Sequence, residues 1–213
     1  MFLSEKFGQF FATSIRHLSF AGPIHLENLR RLISPTILTD VNHLNSIDSY
    51  YLFPDVIADD GPKATARQVL SKWLHTPSKN GQPKRLHCRD YYGRPKHFGW
   101  VNNFKEAFLC AISSVSYIIR IDHVKTMPNA EPFELVNEWT KEKLTLEKVS
   151  SYDDVHWLLK RCPITATVQW ENDENWEDKL NYDQFELWRG NRPIGPLSPS
   201  TEEKADQSNQ NVV

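Results

Sequence analysis

Apolar residues recur at helical spacing through the first third of the chain. Phe7, Phe10, Phe11, Ile15 and Leu18 form one stripe, with Lys6, Arg16 and His17 opposite, a pattern that predicts an amphipathic helix packed on the domain. Leu26, Leu29, Leu32 and Ile33 form a second stripe over residues 24–34, and Pro35 ends it. Residues 35–61 show no period, and Tyr50, Tyr51 and Phe53 there suggest an anchored loop. Asp60-Gly61-Pro62 then opens a third predicted helix, with Val69, Leu70, Trp73 and Leu74 on one face.

Pro77 to Arg85 is rich in turn residues and reads as a linker. Phe104 to Ile121 is apolar almost throughout, which predicts one helix buried on most sides. Pro132 starts another predicted helix with Leu135, Val136 and Trp139, and Asp153 or Asp154 caps a short one carrying Val155, Leu158 and Leu159. From Pro163 to Trp170 the pattern alternates: Ile164, Ala166 and Val168 face a core while Thr165, Thr167 and Gln169 face outward, as in a half-buried strand. Phe185 to Gly190 suggests a second extended piece. Residues 197–213 are Ser/Pro/Glu/Asn-rich, which predicts a disordered tail. Helices ahead of strands in the second half indicate an α+β class with segregated parts rather than alternating βαβ units.

Composition narrows the function classes. The 25 Lys and Arg against 27 Asp and Glu leave a formal charge of −2, so nothing general favours nucleic acid or an anionic membrane surface. No apolar run approaches the roughly 20 residues of a membrane helix. Polar residues at Ser4, Glu5, Lys6, Gly8 and Gln9 interrupt any secretory apolar segment, while a single acidic residue, Glu5, among the first 26 residues gives residues 1–20 a weak organelle-transit character. The three cysteines, Cys88, Cys110 and Cys162, lack zinc-site spacing, and no metal is expected. No glycine-rich phosphate loop and no Gly-x-Ser-x-Gly elbow is present, and no cofactor is expected.

Cys110 is the candidate for chemistry. Near the start of a helix, its thiolate would be favoured by the positive end of the dipole; the alternative is a small core residue, as most unpaired cysteines are. Around it, Asp90-Tyr-Tyr-Gly93, Phe98-Gly-Trp-Val-Asn-Asn103 and Phe104-Lys-Glu-Ala-Phe-Leu-Cys110-Ala-Ile-Ser-Ser114 resemble the start of a papain-like cysteine peptidase domain. Lys148 to Asp154, the Cys162-Pro163-Ile-Thr-Ala-Thr-Val168 segment and Phe185 to Gly190 follow in the order of that family's later motifs. The resemblance covers residues 86–196. It implies that Cys110 stands at the nucleophile position, with Asn103 and Phe104 in the segment that binds substrate. It further implies a papain-like helical half with a buried central helix, followed by an incomplete antiparallel β part. Residues 1–80 would then be a separate helical region.

The departures from the family are chemical. Phe104 occupies the position of the oxyanion Gln and can donate no hydrogen bond; losing such a donor costs ~10²–10³ in rate. The family's His and Asn lie roughly 130–150 residues beyond the Cys, whereas 103 residues follow Cys110 and none after His156 is a His. His123 is read as a solvated turn and His156 as the outer face of a short helix. The expectation is a truncated, catalytically inactive homologue that binds a peptide or protein and self-associates through an open sheet edge. One alternative is a working cysteine peptidase with Cys110 as nucleophile. Another is an aromatic-rich interaction module, unrelated to peptidases, that presents Trp170, Trp176 and Trp188 to a partner. Three free thiols are expected.

Overall fold

The computed structural model describes residues 15–79, 81–89, 99–122, 130–150 and 155–165. In chain order its elements are β1 (His17–Phe20), α1 (Pro23–Leu32), α2 (Ile37–Asp40), β2 (Ser46–Tyr50), α3 (Ala66–Leu74), β3 (Lys84–Arg89), α4 (Gly99–Leu109), β4 (Tyr117–Asp122), β5 (Phe133–Asn137), β6 (Glu142–Ser150) and β7 (Val155–Pro163). The strands form one sheet in the order β1-β2-β3-β4-β7-β6-β5. The first four are parallel neighbours. β7 pairs antiparallel with β4, β6 with β7, and β5 with β6.

Helices and a mixed sheet give the α+β class in its coarse form, but the segregated arrangement is corrected. β1 to β4 alternate with helices, and their sequential order means that right-handed crossovers place those helices on one face. α3 packs against both α1 and α2 there. The separate helical region 1–80 is corrected too: β1 and β2 belong to the same sheet as β3, and the predicted linker 77–85 runs between α3 and β3, its last two residues, Lys84 and Arg85, opening β3.

α1 and α3 follow their apolar stripes. Pro23 occupies the first turn of α1, and Leu26 and Leu29 are buried, although Leu32 is exposed. Thr65, rather than Asp60-Gly61, starts α3: its side chain accepts from the Gln68 backbone N–H and Gln68 Oε1 accepts from the Thr65 N–H. Val69, Leu70, Trp73 and Leu74 are all buried. The segment before α3 is held by Arg30, whose guanidinium donates to the carbonyls of Pro35, Gly61 and Ala64.

Three predicted helices are corrected. The run from Phe104 to Ile121 divides into the end of α4 and the strand β4. β4 lies mid-sheet, and Ile118 on one face is buried as well as Ile119 and Ile121 on the other. A strand buried on both faces shows no alternation and imitates a buried helix. Residues 132–139 form β5 and a turn. Residues 155–163 form β7, in which Trp157, Leu159 and Arg161 point into the core and a charged residue conceals the period of two. The predicted strand from Pro163 meets the structure only as the end of β7, and Ile164 is exposed rather than packed inward. Residues 166–170 and the predicted elements beyond them lie outside the described residues, as do residues 1–14 of the first predicted helix; the described end of that helix is corrected, because Leu18 lies in the strand β1.

The core lies between the sheet and the helices. Leu18, Phe20, Ile47, Leu86, Ile119, Leu144 and Leu159 meet Leu26, Leu70, Trp73, Trp100, Phe104 and Phe108 there. Lys105 Nζ stands 4.0 Å from the Phe133 ring centroid, joining α4 to β5.

Candidate functional site

Strand register lays out the other face of the sheet. Ser19 on β1, Asp48 on β2, His87 on β3 and Arg120 on β4 form one row. Tyr50, Arg89, Asp122 and His156 form the next, towards the carboxyl ends of the parallel strands. His87 is the hub. Its Nε2 donates to Asp122 Oδ2 at 2.5 Å, and its Nδ1 lies 3.4 Å from Asp48 Oδ1. Arg89 Nε donates to Nδ1 at 3.3 Å, Arg89 Nη1 donates to Tyr50 Oη at 3.3 Å, and Arg120 Nε donates to Asp122 Oδ1 at 2.8 Å.

The electrostatics follow from these contacts. Burial alone would lower the His87 pKa, but the hydrogen bonds to Asp122 and Asp48 and their charges outweigh it and hold the pKa above its ordinary value. Burial alone would raise Asp122; the His87 and Arg120 contacts reverse this and bring it down to about 2. Asp48 is lowered on the same balance, with His87 the main opposing partner to burial. His17 is lowered by burial, and among the described residues neither of its ring nitrogens has a hydrogen-bond partner. In the core, burial brings Lys84 down to about 7, and its Nζ donates to the Trp73 carbonyl at the end of α3.

At the opposite, amino end of β4, a second constellation is assembled from the core outward. Arg161 on β7 and Glu142 on β6 face the helices as a buried pair, with Nη2 and Nε donating to Oε2 at 2.6 and 3.0 Å. Glu142 Oε1 accepts from Ser114 Oγ and the Val115 N–H, and Arg161 Nη2 donates to the Ser113 carbonyl at 2.8 Å. The loop from α4 to β4 is thereby fixed to the sheet. Asn137 at the end of β5 fixes it again: Nδ2 donates to the carbonyls of Phe108 and Ala111 at 2.7 and 3.0 Å. Its Oδ1 accepts the N–H groups of Trp139 and Thr140 at the β5–β6 turn. Lys141, in the left-handed region at φ 56°, completes that turn, and its carbonyl accepts from the Ile164 N–H at 3.0 Å.

Three loops therefore meet at one corner, and each presents a large apolar side chain. Ile112 is 81 % exposed, Trp139 79 %, Leu109 54 % and Ile164 42 %. They are half of the large hydrophobic residues exposed among the described residues. Such clustering marks interaction surfaces, whereas single exposed hydrophobics are ordinary.

The structure distributes the residues singled out from sequence. Cys110 is exposed and follows the last residue of α4 instead of opening a helix. It therefore stands at the negative end of the helix dipole, and the thiolate argument built on a helix start falls away. Asn103 is exposed on α4. Phe104 is buried, packed edge-on against Trp100 and Tyr117. His156 lies on β7 opposite Asp122, not on a helix, and His123 lies outside the described residues, as do Trp170, Trp176 and Trp188. The structure brings neither His156 nor Asn103 together with Cys110. Cys88, Cys110 and Cys162 are free thiols.

Asp48, His87 and Asp122 were not singled out from sequence. Their one local signal is the alternation in Lys84–Arg89, where Leu86 and Cys88 point inward and Arg85, His87 and Arg89 outward. Among the described residues no group of His, Cys, Asp and Glu is arranged to hold a metal ion, and no helix is long and apolar enough to cross a membrane. No family model, no curated protein and no solved structure matches the chain.

Proposed function

We propose that this chain is a non-catalytic protein-interaction module that docks through the corner formed by Leu109, Ile112, Trp139 and Ile164. The observation that carries the reading is the exposure of these four side chains on three loops that Asn137 and the Glu142–Arg161 pair hold in fixed relation. Trp139 is the anchor. A Trp side chain buries on the order of 200 Å², and Trp139 is 79 % exposed, so covering what remains open is worth about 4 kcal/mol at about 25 cal/mol per Å² before the costs of association. A rigid tip carrying a Trp is a projection, so the partner is a protein presenting a concave apolar pocket. This keeps the peptide- or protein-binding part of the expectation. Descent from papain-like peptidases is no part of it, because Cys110 follows its helix rather than opening it.

The test uses a photoreactive amino acid at position 139 and, separately, at exposed position 148. Position 139 yields a saturable cross-link to one protein, position 148 does not, and Ile112→Asp abolishes the cross-link while the denaturation midpoint holds. Equal labelling from both positions, or a cross-link to a second copy of this chain, overturns the reading. So does hydrolysis of a fluorogenic peptide that disappears in Cys110→Ala.

A further inference from the structure

The polar face carries an arrangement that the docking corner does not use. His87 Nε2 is committed to Asp122 Oδ2 at 2.5 Å. Among the described residues Nδ1 has two competing neighbours: the donor Arg89 Nε at 3.3 Å and the acceptor Asp48 Oδ1 at 3.4 Å. A ring nitrogen is a donor or an acceptor according to whether it carries a proton. With the proton, Nδ1 can serve Asp48, and Arg89 Nε–H faces another N–H. Without it, Nδ1 can accept from Arg89, and Asp48 Oδ1 faces a lone pair. We propose that His87 is a proton-operated selector whose Nδ1 proton decides whether the ring is tied to Asp48 on β2 or to Arg89 on its own strand.

The surrounding groups give the selector two defined positions. β2 supplies Asp48 and Tyr50, and β4 supplies Asp122 and Arg120. β3 itself supplies Arg85 and Arg89, β1 supplies His17, and His156 of β7 stands across from Asp122. Both carboxylates favour the imidazolium, while Arg89 and Arg120 oppose it. Arg89 has contacts that remain when the ring is protonated: Nη2 is 3.5 Å from Asp48 Oδ2, and its guanidinium lies 5.5 Å from the Tyr50 ring centroid. Protonation therefore shifts Arg89 off the ring towards Asp48 and Tyr50, and deprotonation brings Nε–H back to Nδ1. The proton exchanges with water. Nε2 keeps its proton and its bond to Asp122 throughout, so β3 and β4 stay joined in both states.

Long-range ¹H–¹⁵N NMR on the intact, labelled protein tests this directly. Below pH 6.5 both His87 ring nitrogens read as protonated. On raising the pH, Nδ1 loses its proton while Nε2 retains it, with a midpoint above the ordinary value of 6.5. The Arg89 Nε–H signal moves with the same midpoint. Asp48→Asn lowers the midpoint by removing the charged acceptor, and Arg89→Lys raises it by removing the N–H that Nδ1 accepts when neutral. A neutral ring that keeps its proton on Nδ1 overturns the proposal, as does an Arg89 signal indifferent to the His87 midpoint or two variants that shift it in the same direction. Should either variant fail to fold, the wild-type titration decides alone.

Discussion

The sheet carries ionic clusters on both faces, and they behave oppositely. On the helix-facing side, Glu142 and Arg161 are almost wholly removed from water, and both Glu142 oxygens are bonded: Oε2 to Arg161 and Oε1 to Ser114 and Val115, while Arg161 Nη2 also donates to the Ser113 carbonyl. A dry pair held by several bonds has one arrangement, and it serves as a fixed staple for the proposed docking corner. On the polar face, His87 lies between two carboxylates, but one of its nitrogens has two claimants. That cluster keeps some access to water, with the Asp122 side chain 25 % exposed. The same residue chemistry gives a rigid support where the carboxylate is fully bonded and a titratable junction where one ring nitrogen is contested.

The difference can be broken most forcefully at the dry pair. Glu142→Gln leaves Arg161 as a buried, uncompensated charge and should cost about 3–5 kcal/mol, read as a lowered urea midpoint. Replacing both residues at once, Glu142→Leu with Arg161→Met, should cost less than Glu142→Gln alone, because no orphan charge remains. A double variant less stable than the single one would show that the pair stabilises beyond its own compensation.

Asn137→Ala ranks next. It removes donors to the carbonyls of Phe108 and Ala111 and an acceptor for two turn N–H groups, and should cost about 1–3 kcal/mol. Hydrogen exchange should speed up at Trp139 and Thr140, whose N–H groups lose their acceptor, and stay unchanged in β3. Uniform acceleration across the sheet would mean that the corner is no separate unit.

The contested cluster should show in the pH dependence of stability. His87 has a raised pKa, so its contribution is complete below the unfolded value of 6.5 and is lost as pH rises through the higher folded value. His17 and His75 are lowered by burial, so their contributions are present above 6.5 and lost as pH falls. These opposite slopes partly cancel in the wild type. In His87→Gln the downward slope disappears, and denaturation midpoints at pH 5.5 and 8.5 should show stability rising with pH more steeply than in the wild type. An unchanged slope would contradict the assignment of His87.

The parts of this fold that were legible in sequence are those where a single side of an element is buried. The stripes of α1 and α3 could be read because polar residues occupy their outer faces. β4 imitates a buried helix because its mid-sheet position makes Ile118, Ile119 and Ile121 all buried. β7 hides its period because the core position of Arg161 holds a charge, which Glu142, nineteen residues away, compensates. The polar cluster was invisible for a related reason. Asp48, His87 and Asp122 are far apart in the chain, and parallel register alone makes them neighbours. Cys110 is the conspicuous residue of its segment as a lone thiol, but what the segment contributes is the exposed Leu109 and Ile112 on either side of it.

The smallest effect on stability and the largest on function should coincide at Trp139. Its side chain is 79 % exposed, so Trp139→Ala should change the folding free energy by no more than about 0.5 kcal/mol. The deciding measurement is the affinity of the cross-linked partner for wild type and for Trp139→Ala, with urea midpoints recorded on the same samples. A fall of roughly 30-fold or more at an unchanged midpoint is predicted, as for a buried aromatic anchor. Equal affinity of the two proteins would contradict the docking corner outright.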